Sequence, residues 1–115
     1  MGRLTTHVLD IANGCPGAAI RIELFRRGQD TAIARTITNT DGRCEHPLLE
    51  DDGFVAGEYE LVFHAGDYFN AKGQEDGEHR FLDQVVVRFG INDETQHYHV
   101  PLLLSPFGYS TYRGS

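Results

Sequence analysis

Short alternating runs, fenced by turn chemistry every 8–12 residues or so, constrain this chain more than any other feature. From Ala19 to Arg26, Ile20, Ile22 and Leu24 fall on one side of an extended chain, with Arg21, Glu23 and Phe25 on the other. From Glu58 to Ala65, Tyr59, Leu61 and Phe63 alternate with Glu60, Val62 and His64. A period of two sets one row against a core and the other toward water. Between the runs stand Asn13-Gly14-Cys15-Pro16-Gly17, Arg27-Gly28-Gln29-Asp30, Asn39-Thr40-Asp41-Gly42, Glu50-Asp51-Asp52-Gly53 and Asn92-Asp93-Glu94-Thr95. Gly42 suits a positive φ in a tight turn. Strands are therefore predicted at Leu4 to Ile11, Ala19 to Arg26, Thr31 to Thr38, Glu58 to Ala65, Phe81 to Ile91, His97 to Leu104 and Gly108 to Tyr112. A further short strand is expected to open at Arg43 and Cys44. Val85-Val86-Val87 suggests burial on both faces. The single helix candidate runs from Asp67 to Gly77, with Asp67 as its cap and Tyr68, Phe69 and Ala71 packing it down. The fold class is all-β: a sandwich of seven to eight strands with one short helix, in one domain spanning 1–115.

Composition removes several function classes. A net charge of −7 argues against nucleic acid, which needs a basic face. It leaves room for a small anionic substrate, since a few arginines set the local field of a cleft. No apolar run is long enough to span a membrane, and the first residues lack a signal-peptide core, so a cytoplasmic protein is expected. Cys15 and Cys44 have no CxxC spacing and read as free thiols in that compartment, a disulfide being the alternative. Val100, Leu102, Leu103, Leu104, Phe107 and Tyr109 make the last strands apolar on both sides. That points to an outer face packed against another subunit.

His97 and His99 share one face of a strand, because residues i and i+2 point the same way. His7 lies mid-strand near the other end of the chain, and the first and last strands of a sandwich can lie close. Two chemistries use these imidazoles. One is a zinc site built on the HxH pair with a third histidine, although HxH is common by chance in strands. The other is metal-free: a neutral imidazole takes a proton from water. Arg43 and Arg113 would keep such an imidazole neutral and hold a planar, anionic, amide-rich ligand through forked hydrogen bonds. His46, His64 and His79 stand singly and read as surface or satisfied core residues. Ser105, Ser110 and Cys44 have no adjacent base in sequence, which disfavours a covalent nucleophile.

These pieces also resemble a known family. Leu4-Thr5-Thr6-His7-Val8-Leu9-Asp10 with Gly14 and Pro16, Thr38-Asn39-Thr40-Asp41-Gly42-Arg43, Gly57-Glu58-Tyr59-Glu60-Leu61 and His97-Tyr98-His99-Val100-Pro101-Leu102-Leu103 are similar to the transthyretin-related 5-hydroxyisourate hydrolases. Tyr112-Arg113-Gly114-Ser115 resembles the tetrapeptide that closes that family and is missing from the hormone carriers of the same fold.

The resemblance implies a transthyretin-like sandwich of two four-stranded sheets, assembled as a homotetramer, a dimer of dimers, with active sites in the channel between dimers. It implies hydrolysis of 5-hydroxyisourate to 2-oxo-4-hydroxy-4-carboxy-5-ureidoimidazoline in urate degradation, with no cofactor; of the two chemistries open to the histidines, the metal-free one is expected. By motif, the catalytic residues would be His7, Arg43, His99, Tyr112 and Arg113. The substrate would be held by His7, Arg43, Tyr112, Arg113, Gly114 and Ser115. Either His7 or His99 could be the base. The rivals are a transthyretin-like small-ligand carrier without catalysis and a structural sandwich with no site. The polar set His7, Arg43, His99 and Arg113 weighs against the carrier, because a channel for an apolar hormone gains nothing from buried charge.

Overall fold

In the computed structural model, which describes residues 2–75 and 77–115, the alternating runs become strands whose apolar rows meet between two sheets. The strands are β1 (Arg3–Asp10), β2 (Cys15–Pro16), β3 (Arg21–Arg26), β4 (Ala34–Ile37), β5 (Leu49–Glu50), β6 (Gly57–Phe63), β7 (Val85–Ile91), β8 (Tyr98–Ser105) and β9 (Gly108–Thr111). Helix α1 (Ala65–Ala71) lies between β6 and β7. One sheet runs β2-β1-β8-β9, with β5 also pairing the start of β1; the other runs β4-β3-β6-β7. The sheets thus hold five and four strands, because two-residue β5 joins the first.

Leu4 and Val8 of β1, Ile22 and Leu24 of β3, Tyr59, Leu61 and Phe63 of β6, and Val100, Leu102 and Leu104 of β8 fill the space between the sheets. Alternate residues of β1 therefore point outward. β1 and β8 pair in parallel, with Leu4 opposite Tyr98, Thr5 opposite His99 and His7 opposite Pro101. This register decides which outward side chains become neighbours.

Two polar groups face inward on β1 and are satisfied there. The Thr6 hydroxyl donates to the Val100 carbonyl at 2.7 Å. The buried Asp10 carboxylate accepts from the Tyr68 hydroxyl at 2.7 Å, the Asn13 side-chain amide at 2.6 Å, and the backbone N–H groups of Ala12 and Asn13. Burial raises the Asp10 pKa, but these donors outweigh it and hold the carboxyl below its ordinary value. Tyr68 thereby ties α1 to the end of β1.

Several expectations need correction. No strand opens at Arg43 and Cys44; that segment makes only an isolated antiparallel bridge from Arg43 to His7 before the chain leaves for β5. The predicted 81–91 strand is only β7, starting at Val85, and Val86 is 41% exposed between buried Val85 and Val87. Three valines in a row carry no alternation to reveal that outer face. The helix starts at Ala65 with His64 at its cap position and no side-chain cap bond, so Asp67 lies inside it. The Gly66 N–H instead donates to the Asp83 carbonyl at 2.7 Å. His64 is a satisfied buried residue, as its isolation suggested: Nε2 meets Glu23 Oε1 at 2.8 Å and Nδ1 accepts from Arg21 at 3.3 Å. Cys15 and Cys44 are free. Among the described residues, no helix is long and apolar enough to cross a membrane.

Replacing Tyr68 with Phe removes one hydrogen bond to a buried charge and leaves the ring in place. A loss of about 1.5–3 kcal/mol in unfolding free energy is expected from denaturant titration.

Candidate active site

The outward row of β1 is Arg3, Thr5 and His7, and beside it stand His97, just before β8, and His99 of β8. An open cleft of about 400 Å³ forms over these rows. β1 contributes Arg3 and Thr5, the segment after β4 contributes Arg43, Cys44 and His46, and the run into β8 contributes His97 and His99. Ser115 completes the wall. Thr5 Oγ1 lies 2.8 Å from His97 Nε2 and 2.8 Å from His99 Nδ1, so both imidazoles do share a face.

The turn at 39–42 delivers Arg43. The Asn39 side-chain oxygen accepts from the N–H groups of Asp41 at 2.9 Å and Arg43 at 3.1 Å. Gly42 has φ 77°, and its carbonyl accepts from Val8 N–H at 2.8 Å. A β-carbon on Gly42 would overlap the Val8 carbonyl oxygen. Only glycine allows the turn to sit this close to β1 in that left-handed conformation. His7 is held by the same turn. Its Nε2 lies 2.9 Å from the Asp41 carbonyl, which can only accept, so Nε2 carries the hydrogen and Nδ1 is the basic nitrogen of the neutral ring.

The tail is fastened to β8. Gly114 and His99 exchange backbone hydrogen bonds of 2.7 and 3.3 Å. A β-carbon on Gly114 would stand 3.1 Å from His99 Cδ2, so the bare backbone packs against the imidazole. Arg113 turns elsewhere: its guanidinium lies 4.1 Å from the centre of the Tyr98 ring and donates to Gln96 Oε1 at 2.9 Å and the His97 carbonyl at 3.3 Å. Tyr112 is 61% exposed and, with Arg113, borders a separate groove beside β7. Within one chain, His99, Arg43 and Ser115 thus share the cleft, His7 adjoins it through the Arg43 bridge, and Tyr112 and Arg113 face away.

Burial, then the Arg43 charge, lowers the pKa of both His7 and His99. The Asp41 carbonyl pulls His7 back up, while His7 and His97 push His99 further down. His97 is lowered by burial, Arg3 and Arg113. His97 and His99 in the cleft, and His7 beside it, therefore favour the neutral ring next to fixed guanidinium charge. That pattern can take a proton from water and stabilise an oxyanion. Among the described residues, no three His, Cys, Asp or Glu side chains gather as a metal-ion set. Sequence reasoning passed over Arg3, Thr5 and His46. The alternation of β1 placed Arg3 and Thr5 beside His7, but only the β1–β8 register sets Thr5 against His99.

Residues 4–114 match the model of the HIUase/Transthyretin family. The chain is 62% identical over 117 residues to a 5-hydroxyisourate hydrolase of Pseudomonas aeruginosa, covering 100% of this chain and 93% of that one. Its fold superposes on the crystal structure of (S)-allantoin synthase with a TM-score of 0.93 and 46% identity, covering 99% of this chain and only 44% of that chain. It superposes on sea bream transthyretin in complex with thyroxine with a TM-score of 0.86 and 28% identity, covering 97% of this chain and 94% of that one.

The electrostatics give a direct expectation. Followed by NMR, His7 and His99 should titrate below their ordinary value of 6.5. Arg43→Gln removes a positive neighbour, which makes the second charge easier to add, so both titrations should move upward. An unchanged His99 titration in that variant would contradict the coupling.

Proposed function

The chain belongs to the HIUase/Transthyretin family, and from that premise we propose that its cleft hydrolyses 5-hydroxyisourate to 2-oxo-4-hydroxy-4-carboxy-5-ureidoimidazoline in urate degradation. The observation that carries this reading is the pairing of depressed-pKa imidazoles with the Arg43 guanidinium in one cleft. A carrier of an apolar ligand has no use for that lining, although the fold alone would serve one.

In the proposed reaction, neutral His99 takes a proton from water, and the hydroxide oxygen bonds to a ring carbonyl carbon. Arg43 stabilises the oxyanion that forms. The carbon–nitrogen bond then breaks, the nitrogen leaves with a proton, and a carboxylate remains. The proton that His99 took from water passes to that nitrogen and returns His99 to its neutral form, while His7, whose Nε2 hydrogen is held by the Asp41 carbonyl, orients the water through its bare Nδ1. Ser115 and the Gly114 backbone bound the ring and fix its orientation. Arg113 serves by clamping the tail against Tyr98, and Tyr112 extends the tail toward a neighbouring subunit. No metal or cofactor takes part.

The working unit is a single domain over 1–115, in a homotetramer built as a dimer of dimers, in the cytoplasm. The 65% exposure of Phe107 on the β8–β9 hairpin supports a partner surface there.

Freshly generated 5-hydroxyisourate should lose its absorbance faster with the protein, before and after exhaustive chelation. His99→Gln and Arg43→Lys should each slow turnover roughly 100-fold, the latter because lysine keeps the charge without the planar fork. The acidic limb of the rate profile should lie below pH 6.5, since the base must be neutral and its pKa is depressed. Decay at the uncatalysed rate would end this reading.

Deleting residues 112–115 should cut turnover by roughly 100-fold or more, because the positioning surface against His99 goes with it. Exposed Tyr112 takes little apolar burial with it, so circular dichroism and light scattering should still report a folded tetramer. Full turnover by the truncated tetramer, or a monomer at micromolar concentration in the intact protein, would contradict the tail and assembly assignments respectively.

A further inference from the structure

We propose that Thr5 is a positioning residue that decides which nitrogen of His99 is free to act as the base, with His97 as the acceptor that orients Thr5. The inference rests on the reaction proposed above, with His99 taking the proton from water.

Its basis is a counting constraint on one hydroxyl. Thr5 Oγ1 stands 2.8 Å from His97 Nε2 and 2.8 Å from His99 Nδ1. The hydroxyl has one proton and donates to only one of these nitrogens; the other contact is a hydrogen bond only if that nitrogen carries a hydrogen. If the hydroxyl donates to His99, that ring carries its hydrogen on Nε2 and offers the cleft no lone pair. If it donates to His97, His99 carries its hydrogen on Nδ1, donates it to Thr5, and leaves Nε2 bare.

Only the second arrangement serves the reaction throughout. When Nε2 takes a proton, the ring becomes an imidazolium with hydrogens on both nitrogens. A hydroxyl already turned toward His97 still accepts from Nδ1, so no group has to reorient as charge appears. Burial and the charges of Arg3 and Arg113 keep His97 the neutral acceptor that this requires. The His99 ring cannot swing away easily. Its backbone lies opposite Thr5 in the β1–β8 ladder, and its Cδ2 edge faces the bare backbone of Gly114. The charged and titratable groups around the pair are Arg3 and His7 on β1, Arg43, Cys44 and His46 after β4, and Arg113 on the tail. None of them occupies the Thr5 hydroxyl.

Thr5→Val keeps the β-branched shape and removes the hydroxyl. In the whole assembled protein, kcat should fall by about 10–100-fold with KM changed by less than about threefold. Histidine nitrogen–proton correlation spectra should show His99 moving from the Nδ1–H form toward the Nε2–H form. Thr5→Ser should recover most of both. His97→Leu should behave like Thr5→Val, whereas His97→Gln, which offers an amide oxygen to the hydroxyl, should lose less. Full kcat in Thr5→Val overturns the proposal, as does a loss of rate with no change of tautomer. The two readings fail separately. A His99→Gln protein at full rate removes the base assignment itself; an inactive His99→Gln beside a fully active Thr5→Val removes only the role of Thr5.

Discussion

Parallel pairing between β1 and β8 is the constraint on which the rest depends. It joins residues that lie far apart in the chain, from Leu4 with Tyr98 to Asp10 with Leu104. On the inner side the same ladder sets Leu4 and Val8 near Val100 and Leu102 in the core; on the outer side it sets Thr5 and His7 near His99. A slip of one residue would exchange the two faces, burying an imidazole row and exposing an aliphatic one. Core and site are therefore fixed by one register. The cost is topological: so long a loop must close before the ladder forms, which is a slow kind of contact to make.

The molecule carries a net charge of −7, yet the cleft gathers Arg3, Arg43 and three imidazoles. The acidic excess lies elsewhere. On the second sheet, by contrast, the arginines are matched: Arg35 meets Glu23 at 3.1 Å and Arg88 meets Glu60 at 2.6 Å, so they leave no net positive charge there. The arginines of the cleft instead act on His97 and His99 in a partly dry space. There a fixed positive neighbour and lost hydration push in the same direction, and both favour the neutral ring.

The sandwich was legible because period-two patterning survives without knowledge of partners, as Ile20, Ile22 and Leu24 illustrate. The shared face of His97 and His99 followed from the same geometry, and the motifs around His7, Arg43 and His99 marked the segments that meet. Pairing between distant strands leaves no local trace. The contact of Thr5 with two rings, and the entry of Arg3 and His46 into the cleft, stayed hidden for that reason. The direction of Arg113 was equally unreadable, since it turns on a stack over Tyr98 and a bond to Gln96 that only the folded tail creates. Val86 failed for a different reason: a uniform run gives no phase to read.

The turn at Gly42 has a meaning for inheritance as well as for shape. Its left-handed backbone and its overlap with the Val8 carbonyl exclude every residue with a β-carbon. Any such change must push the turn off β1, and with it the Arg43 backbone bridged to His7 and the carbonyl of Asp41 that holds the His7 ring. In a population of variants filtered only by turnover, position 42 would be as intolerant as the charged and basic groups themselves, although it has no side chain to offer a substrate. Restriction on sequence is here set by the space between two pieces of backbone, one of which happens to carry the chemistry.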